Sequence, residues 1–253
     1  MDDLRNFLER KYRQYGGRIF IDNDPITIPH RFAQKEDIEI AGFLTATIAW
    51  GQRKTIIRNA SLLMEWMDNA PGDFMKNSHK SDLQTFKRFV HRTFQGEDCY
   101  FFIDRLRQLY QQGQSLEGIF GDGYRQSGDM AGAIGYFRKL FFDVPHPKRS
   151  EKHISNPSRN AAAKRLNMFL RWMVRSAEES VDFGIWNTIP ASVLMCPLDV
   201  HTAAVSRKLG LLGRKQQDWK AVEELTRSLK KLDYNDPVKY DIPLFALGAF
   251  EGF

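Results

Sequence analysis

The residues best suited to chemistry lie in the run Cys196-Pro197-Leu198-Asp199-Val200-His201, which continues as Thr202-Ala203-Ala204-Val205-Ser206-Arg207-Lys208-Leu209-Gly210. A proline-led turn that stops at an acid and then enters a helix puts Asp199 at the N-cap. There its carboxylate accepts from the otherwise unpaired N–H groups of the first turn. Arg207 and Lys208 fall in the last turn, where cations suit the negative end of the dipole, and Gly210 suits the left-handed position beyond it. An ionised acid fixed at the mouth of a buried turn can stabilise a developing cation. The same spacing is also satisfied if Asp199 is a helix cap and nothing more.

Positive charge is the second concentration of chemistry. The chain carries 37 Lys and Arg against 31 Asp and Glu, a net charge of +6. Between positions 148 and 175 stand Lys148, Arg149, Lys152, Arg159, Lys164, Arg165, Arg171 and Arg175 against Glu151 alone. That local surplus exceeds the charge of the whole chain, and a polyanion is its natural partner. A solvated helix face is the alternative reading. At about 100° per residue, Ala162, Ala163, Leu166, Phe169, Leu170, Met173, Val174 and Ala177 share one apolar stripe, with Lys164, Arg171 and Arg175 opposite.

The elements that must position these groups read as helices. Leu4 to Tyr12 forms the first, and Arg18-Ile19-Phe20-Ile21 is the one plausible strand, too isolated to build a sheet. Asp24-Pro25 and Ile28-Pro29 mark an extended linker. From Asp37 a helix apolar almost all round, and therefore buried on several sides, runs to Trp50-Gly51-Gln52-Arg53, and the next opens at Thr55. Gly51 lets backbone approach a phosphate or base closely, Gln52 can pair with a base edge, and Trp50 offers either a stacking face or a core anchor. Four short helices follow, Leu83 to Val90, Phe101 to Tyr110, Leu116 to Phe120 and Ala133 to Phe142, with Ser81, Ser115 and Asp129 at their caps. Further on, Asp218 starts a helix through Leu229. Asp236-Pro237 opens a last apolar segment, Ile242 to Phe253, bent at Pro243. The expectation is an all-α protein of two helical lobes with a cleft between them: 37–150 as one, and 1–36 with 151–253 as the other.

At 253 residues the chain can bury an ample core. No apolar run approaches the ~18 residues that would span a bilayer, and Met1-Asp2-Asp3-Leu4 lacks an apolar signal core. A cytoplasmic protein with no membrane partner is expected. Cys99 and Cys196 are too few for a disulfide framework, and the six histidines show no metal-ligand spacing, so neither metal nor cofactor is expected.

Pro197-x-Asp199-x-His201 followed by a basic, Leu-Gly-terminated helix resembles the signature of the helix-hairpin-helix DNA glycosylases. Asp199, His201, Val205, Arg207, Leu209 and Gly210 match, and Ala204 stands where an Arg is frequent. The resemblance implies that Asp199 is catalytic. It also implies that Lys164, the match to a lysine just inside the preceding helix, is the nucleophile of the members that also nick DNA. Trp50-Gly51-Gln52-Arg53 resembles the superfamily's Gln-containing turn that reaches the duplex. The usual Gly-x-Gly hairpin is missing, and Pro157-Ser158-Arg159-Asn160 replaces it, with Asn160 able to supply a left-handed conformation. Lys164 and Asp199 are 35 residues apart, longer than usual, and the surplus is a Gly-hinged aromatic insert, Val181 to Pro190. Two cysteines exclude the four-cysteine iron–sulfur cluster of some members. The chain is most similar to a bacterial family related to the archaeal 8-oxoguanine glycosylases, whose hairpin also departs from the usual form.

The resemblance implies a monomeric base-excision repair glycosylase, with lyase activity, acting on an oxidised purine such as 8-oxoguanine flipped from duplex DNA. It assigns the substrate to Trp50, Gln52, Arg53, Trp186 and His201, and the DNA backbone to Lys152, Ser158, Arg159, Asn160 and Arg165. The alternative is a non-catalytic nucleic-acid-binding module. The absent Gly-x-Gly favours that module, whereas retention of both Lys164 and Asp199 favours the enzyme.

Overall fold

Helices joined by short 3₁₀ turns are the only regular secondary structure in the residues that the computed structural model describes, 2–21, 24–177 and 181–253. They are α1 (Asp2–Tyr15), α2 (Arg18–Ile21), α3 (Lys35–Thr47), α4 (Arg53–Glu65), α5 (Pro71–Asn77) and α6 (Gly96–Gln111). Then follow α7 (Leu116–Ser127), α8 (Met130–Phe141), α9 (Lys164–Val174), α10 (Val200–Lys208), α11 (Trp219–Lys230) and α12 (Asp241–Phe250). The protein is all-α. Among the described residues no helix is long and apolar enough to cross a membrane.

Two compact units divide the chain. The central unit holds residues 24–128 and Gly132–Ser155. Its axis is α3, whose Ile40, Ala41, Phe43 and Leu44 are almost wholly buried. Phe43 meets Phe137 edge-on at 5.5 Å and Phe102 in a stacked pair at 6.3 Å, while Phe120 stacks on Phe137 at 4.4 Å. Offset and edge contacts of this kind suit the ring quadrupole and give the phenylalanine-rich core its geometry. A buried Glu39 accepts from the Tyr110 hydroxyl at 2.8 Å, and burial together with that carboxylate pushes the phenol well above its usual pKa.

Residues 24–36 depart from the expected extended linker. They fold into 3₁₀ turns at Pro25–Thr27 and Pro29–Arg31, the first capped by Asp24, which accepts from Ile26 N at 3.1 Å. Ile26 and Ile28 are fully buried, and both turns pack on α3. This segment therefore belongs to the central unit, and the division falls before residue 24 instead of at 36/37. Two further differences are local. Asp82–Arg88 is a 3₁₀ helix where an α-helix was expected, and α5 was not anticipated although Pro71 opens it at a position that suits proline.

The other unit comprises residues 2–21, Asp129–Ala131 and 156–253, the last without 178–180. Its expected strand is the short helix α2, with Phe20 N donating to Gly17 O at 3.0 Å. Four residues with no neighbouring strand among the described residues have nowhere to place ladder bonds, whereas a helical turn closes a bond such as Phe20 N to Gly17 O locally. In the same unit α12 packs on α10 and α1. Gly248 permits the first contact, since a Cβ there would lie 2.9 Å from His201 Cβ. Pro243 occupies the first turn of α12, where its missing N–H costs nothing.

The largest correction concerns α9. Its supposed cationic face is not a solvent face: Arg171 and Arg175 are each only 3 % exposed. Arg171 donates to Asp182 Oδ1 (Nε, 3.2 Å) and Asp241 Oδ2 (Nη1, 2.6 Å). Arg175 reaches Asp182 Oδ2 (2.5 Å), Asp236 Oδ1 (2.9 Å) and the Tyr12 hydroxyl (2.8 Å). Burial disfavours the Arg175 charge, but Asp182 and Asp236 more than offset it and hold that guanidinium above its ordinary pKa. The aromatic insert supports the same helix. Phe183 N donates to Trp172 O at 2.8 Å and Ile185 N to Met173 O at 2.9 Å, capping the last carbonyls of α9. Gly184 makes the return with φ +59°, and a Cβ on it would lie 3.1 Å from Arg175 O.

Candidate active site

The two residues singled out for chemistry meet. Asp199 caps α10 with one oxygen only: Oδ1 accepts from His201 N and Thr202 N, both at 2.9 Å. Its second oxygen, Oδ2, lies 3.7 Å from Lys164 Nζ. The side chains are 17 % and 32 % exposed, so a ligand can reach both. Capping and charge presentation are thus divided between the two oxygens of one carboxylate.

Lys164 is the first residue of α9, and the turn before it carries two left-handed residues, Asn160 at φ +62° and Ala163 at φ +49°. Asn160 does adopt the conformation expected of it; Ala163 was not foreseen, and a non-glycine residue there is held against its own preference. Surrounding bonds hold the turn. Asn160 O accepts from Trp219 N at 3.1 Å, and Asn160 Nδ2 donates to Asp218 Oδ2 at 2.9 Å. The segment that replaces the hairpin is therefore tied to the start of α11.

The remaining candidates separate. Ser158 is exposed but donates from N and Oγ to Asn156 Oδ1, at 3.0 and 2.7 Å. Arg159 is exposed, and Arg165 is half-buried, with burial drawing its guanidinium down to about 10, still cationic at neutral pH. Lys152 is exposed on the central unit, as are Lys148, paired with Glu151 at 2.7 Å, and half-buried Arg149, which donates to Gln95 Oε1 at 3.0 Å. The run of cations is thus divided: Lys148, Arg149 and Lys152 belong to the central unit, Arg159, Lys164 and Arg165 to the other, and Arg171 and Arg175 are buried.

Trp186 is 2 % exposed and set edge-on to Phe169 at 5.4 Å, a core residue with no face for a substrate. His201 is exposed at the head of α10 and edge-on to Phe245 at 5.8 Å. In the central unit Gln52 is exposed at the N-cap of α4 and makes no side-chain cap bond, after Gly51 at φ +104°. Arg53 is half-buried as the first residue of α4. Trp50 is half-buried, edge-on to His91 at 5.0 Å and stacked with His153 at 6.0 Å, with its carbonyl 3.0 Å from His91 Nε2.

Asp241 and Thr202 were missed. Thr202 Oγ1 donates to Asp241 Oδ1 at 3.3 Å, which links the carboxylate held by Arg171 to the first turn of α10. Burial pushes Asp241 up to about 6, against the pull of Arg171, with Asp199 adding to the rise and Lys164 opposing it. The only signal was a lone acid between Tyr240 and Ile242 at the head of an apolar segment. Both cysteines are buried, and burial pushes each thiol well above its usual pKa. Among the described residues no three His, Cys, Asp or Glu side chains are placed to hold a metal ion.

Fold and site together define an all-helical protein with a solvent-reached lysine–aspartate pair at two helix N-termini. The chain belongs to the family described as protein of unknown function (DUF2400), whose model matches residues 24–250. No curated protein and no solved structure matches it.

Proposed function

We propose that the protein is a DNA glycosylase with lyase activity acting on an oxidised purine in duplex DNA, built on a helix-hairpin-helix glycosylase-like fold in which the two units are the lobes. One observation carries the reading: an amine and a carboxylate oxygen that has no capping duty stand 3.7 Å apart where a ligand can reach them. With a base flipped out of the stack, the neutral Lys164 amine attacks the sugar C1′. The bond from C1′ to the base nitrogen breaks, the base leaves with a proton, and the lysine–sugar adduct opens to an imine. Asp199 Oδ2 supplies the negative charge that stabilises the cationic sugar in the transition state. Lys164→Gln is expected to abolish borohydride-trapped adduct on lesion-bearing duplexes while leaving lesion binding largely intact, because an amide cannot form the imine. Persistent trapping in that variant would place the nucleophile elsewhere.

The exposed cations give the reading a second consequence. If Lys152, Arg159 and Arg165 each meet a phosphate, replacing all three by Ala flattens the slope of log K against log salt by about two to three units. An unchanged slope would remove these residues from the interface. The bonds that commit Asn160 to α11 favour the alternative, a non-catalytic nucleic-acid-binding module. That reading predicts salt-sensitive binding with no trapped adduct on any lesion.

A further inference from the structure

Beneath the pair, Arg171 and Arg175 meet three carboxylates, the buried Asp182 and Asp241 and the partly exposed Asp236. Asp182 and Asp236 each accept from a guanidinium through both carboxylate oxygens, Asp182 from Arg171 and Arg175 and Asp236 from Arg175 alone. Asp241 Oδ2 accepts from Arg171, and among the described residues its Oδ1 meets the Thr202 hydroxyl. A carboxyl can share a proton with a hydroxyl, since the acid can donate where the hydroxyl accepts.

The position of Asp241 makes its charge matter. It begins α12, is bound to α9 through Arg171, and is bound to α10 through Thr202, whose own N–H donates to the catalytic candidate Asp199. Lys164 is seven residues before Arg171 on α9, two turns along the same face. Arg171 and Thr202 touch Asp241, and the charges of Lys164 at the head of α9 and Asp199 at the cap of α10 act on it through space, as it acts on the buried Cys196 thiol.

We propose that Asp241 is an ionisable positioning residue of the Lys164–Asp199 pair, fastening α9, α10 and α12 behind it and setting, by gaining or losing one proton, the electrostatic field in which Lys164 works. The proposal rests on Lys164 and Asp199 being the reacting pair. Above about pH 6 Asp241 is an anion that favours the Lys164 ammonium; below that it is neutral and the influence is gone. The chemistry therefore responds to acidity through a residue that does not touch the substrate.

A measurement without DNA tests this separately from glycosylase activity. Acylation of Lys164 by an excess of succinimidyl acetate, read by peptide mass spectrometry, is followed from pH 5 to 8 in the wild type and in Asp241→Asn. The variant-to-wild-type rate ratio is expected to be near one at pH 5 and about two- to fivefold above pH 7, with its midpoint near 6. A structural role alone gives a ratio that does not change with pH, and that result would overturn the proposal. Should Asp241→Asn fail to fold, the ¹³C carboxyl titration of Asp241 in the intact chain decides. Its midpoint, expected near 6, should rise in Lys164→Met and fall in Asp199→Asn, and a midpoint unmoved by both overturns the coupling. A pH-dependent ratio without borohydride trapping on any lesion would retain Asp241 and reject the glycosylase reading; trapping with a flat ratio would do the opposite.

Discussion

If the protein is the glycosylase proposed above, Asp199→Asn is expected to lower the single-turnover rate of base excision by about 10²–10³ while leaving the thermal midpoint almost unchanged. The two halves of that expectation follow from the two oxygens. An asparagine side chain still offers one acceptor to His201 N and Thr202 N, and Asn is as good an N-cap as Asp. What it cannot offer is the negative Oδ2 that stands 3.7 Å from Lys164 Nζ. Asp199→Ala removes both functions and should cost about 1 kcal/mol of stability in addition to the rate. If Asp199 were only a cap, Asn would keep full activity and Ala would lose stability alone. Melting curves and single-turnover rates on both variants therefore separate the roles, and an active Asp199→Asn ends the catalytic assignment.

Asp182→Ala is expected to destabilise the fold by about 3–5 kcal/mol, a large share of the roughly 5–15 kcal/mol that holds a domain of this kind together. Asp182 is completely buried and accepts from both Arg171 and Arg175. Its removal leaves two guanidinium groups inside the protein with one charged partner fewer each, and the cost is that of uncompensated buried charge. Asp122→Ala provides the contrast, because the Asp122–Arg125 pair is 46 % and 61 % exposed and water replaces the lost partner. Urea midpoints at constant slope measure both. A loss for Asp182→Ala no larger than for Asp122→Ala would mean that water reaches the buried pairs.

Much of the local structure was legible because its causes are local. The cap at Asp199, the left-handed Gly210 and the Ser115 cap that accepts from Gly118 N at 3.1 Å all depend on groups within four residues. The all-round apolar run over α3 read correctly as a buried helix, because burial on every side needs no knowledge of which neighbours supply it. Errors arose where one pattern served two structures. Arg18–Ile21 has strand-forming residues, yet with no adjacent strand among the described residues it closes a helical turn instead. The prolines at 25 and 29 signalled a break, and both an extended linker and a pair of 3₁₀ turns begin with such a break.

Although its apolar stripe ran back to Ala162, before the helix begins at Lys164, the sequence by itself determined the helical class, the capped turn at Asp199 and the left-handed Asn160. Each follows from periodicity, caps and backbone preferences that act over a few residues. Only the tertiary structure decided that Arg171 and Arg175 are interior, that Trp186 is core, and that Asp241 stands behind the site. The acids that neutralise those arginines lie 7, 11, 61 and 70 residues away along the chain. A helical repeat shows which residues share a face; whether that face meets water or carboxylates is settled by segments that arrive from elsewhere in the chain.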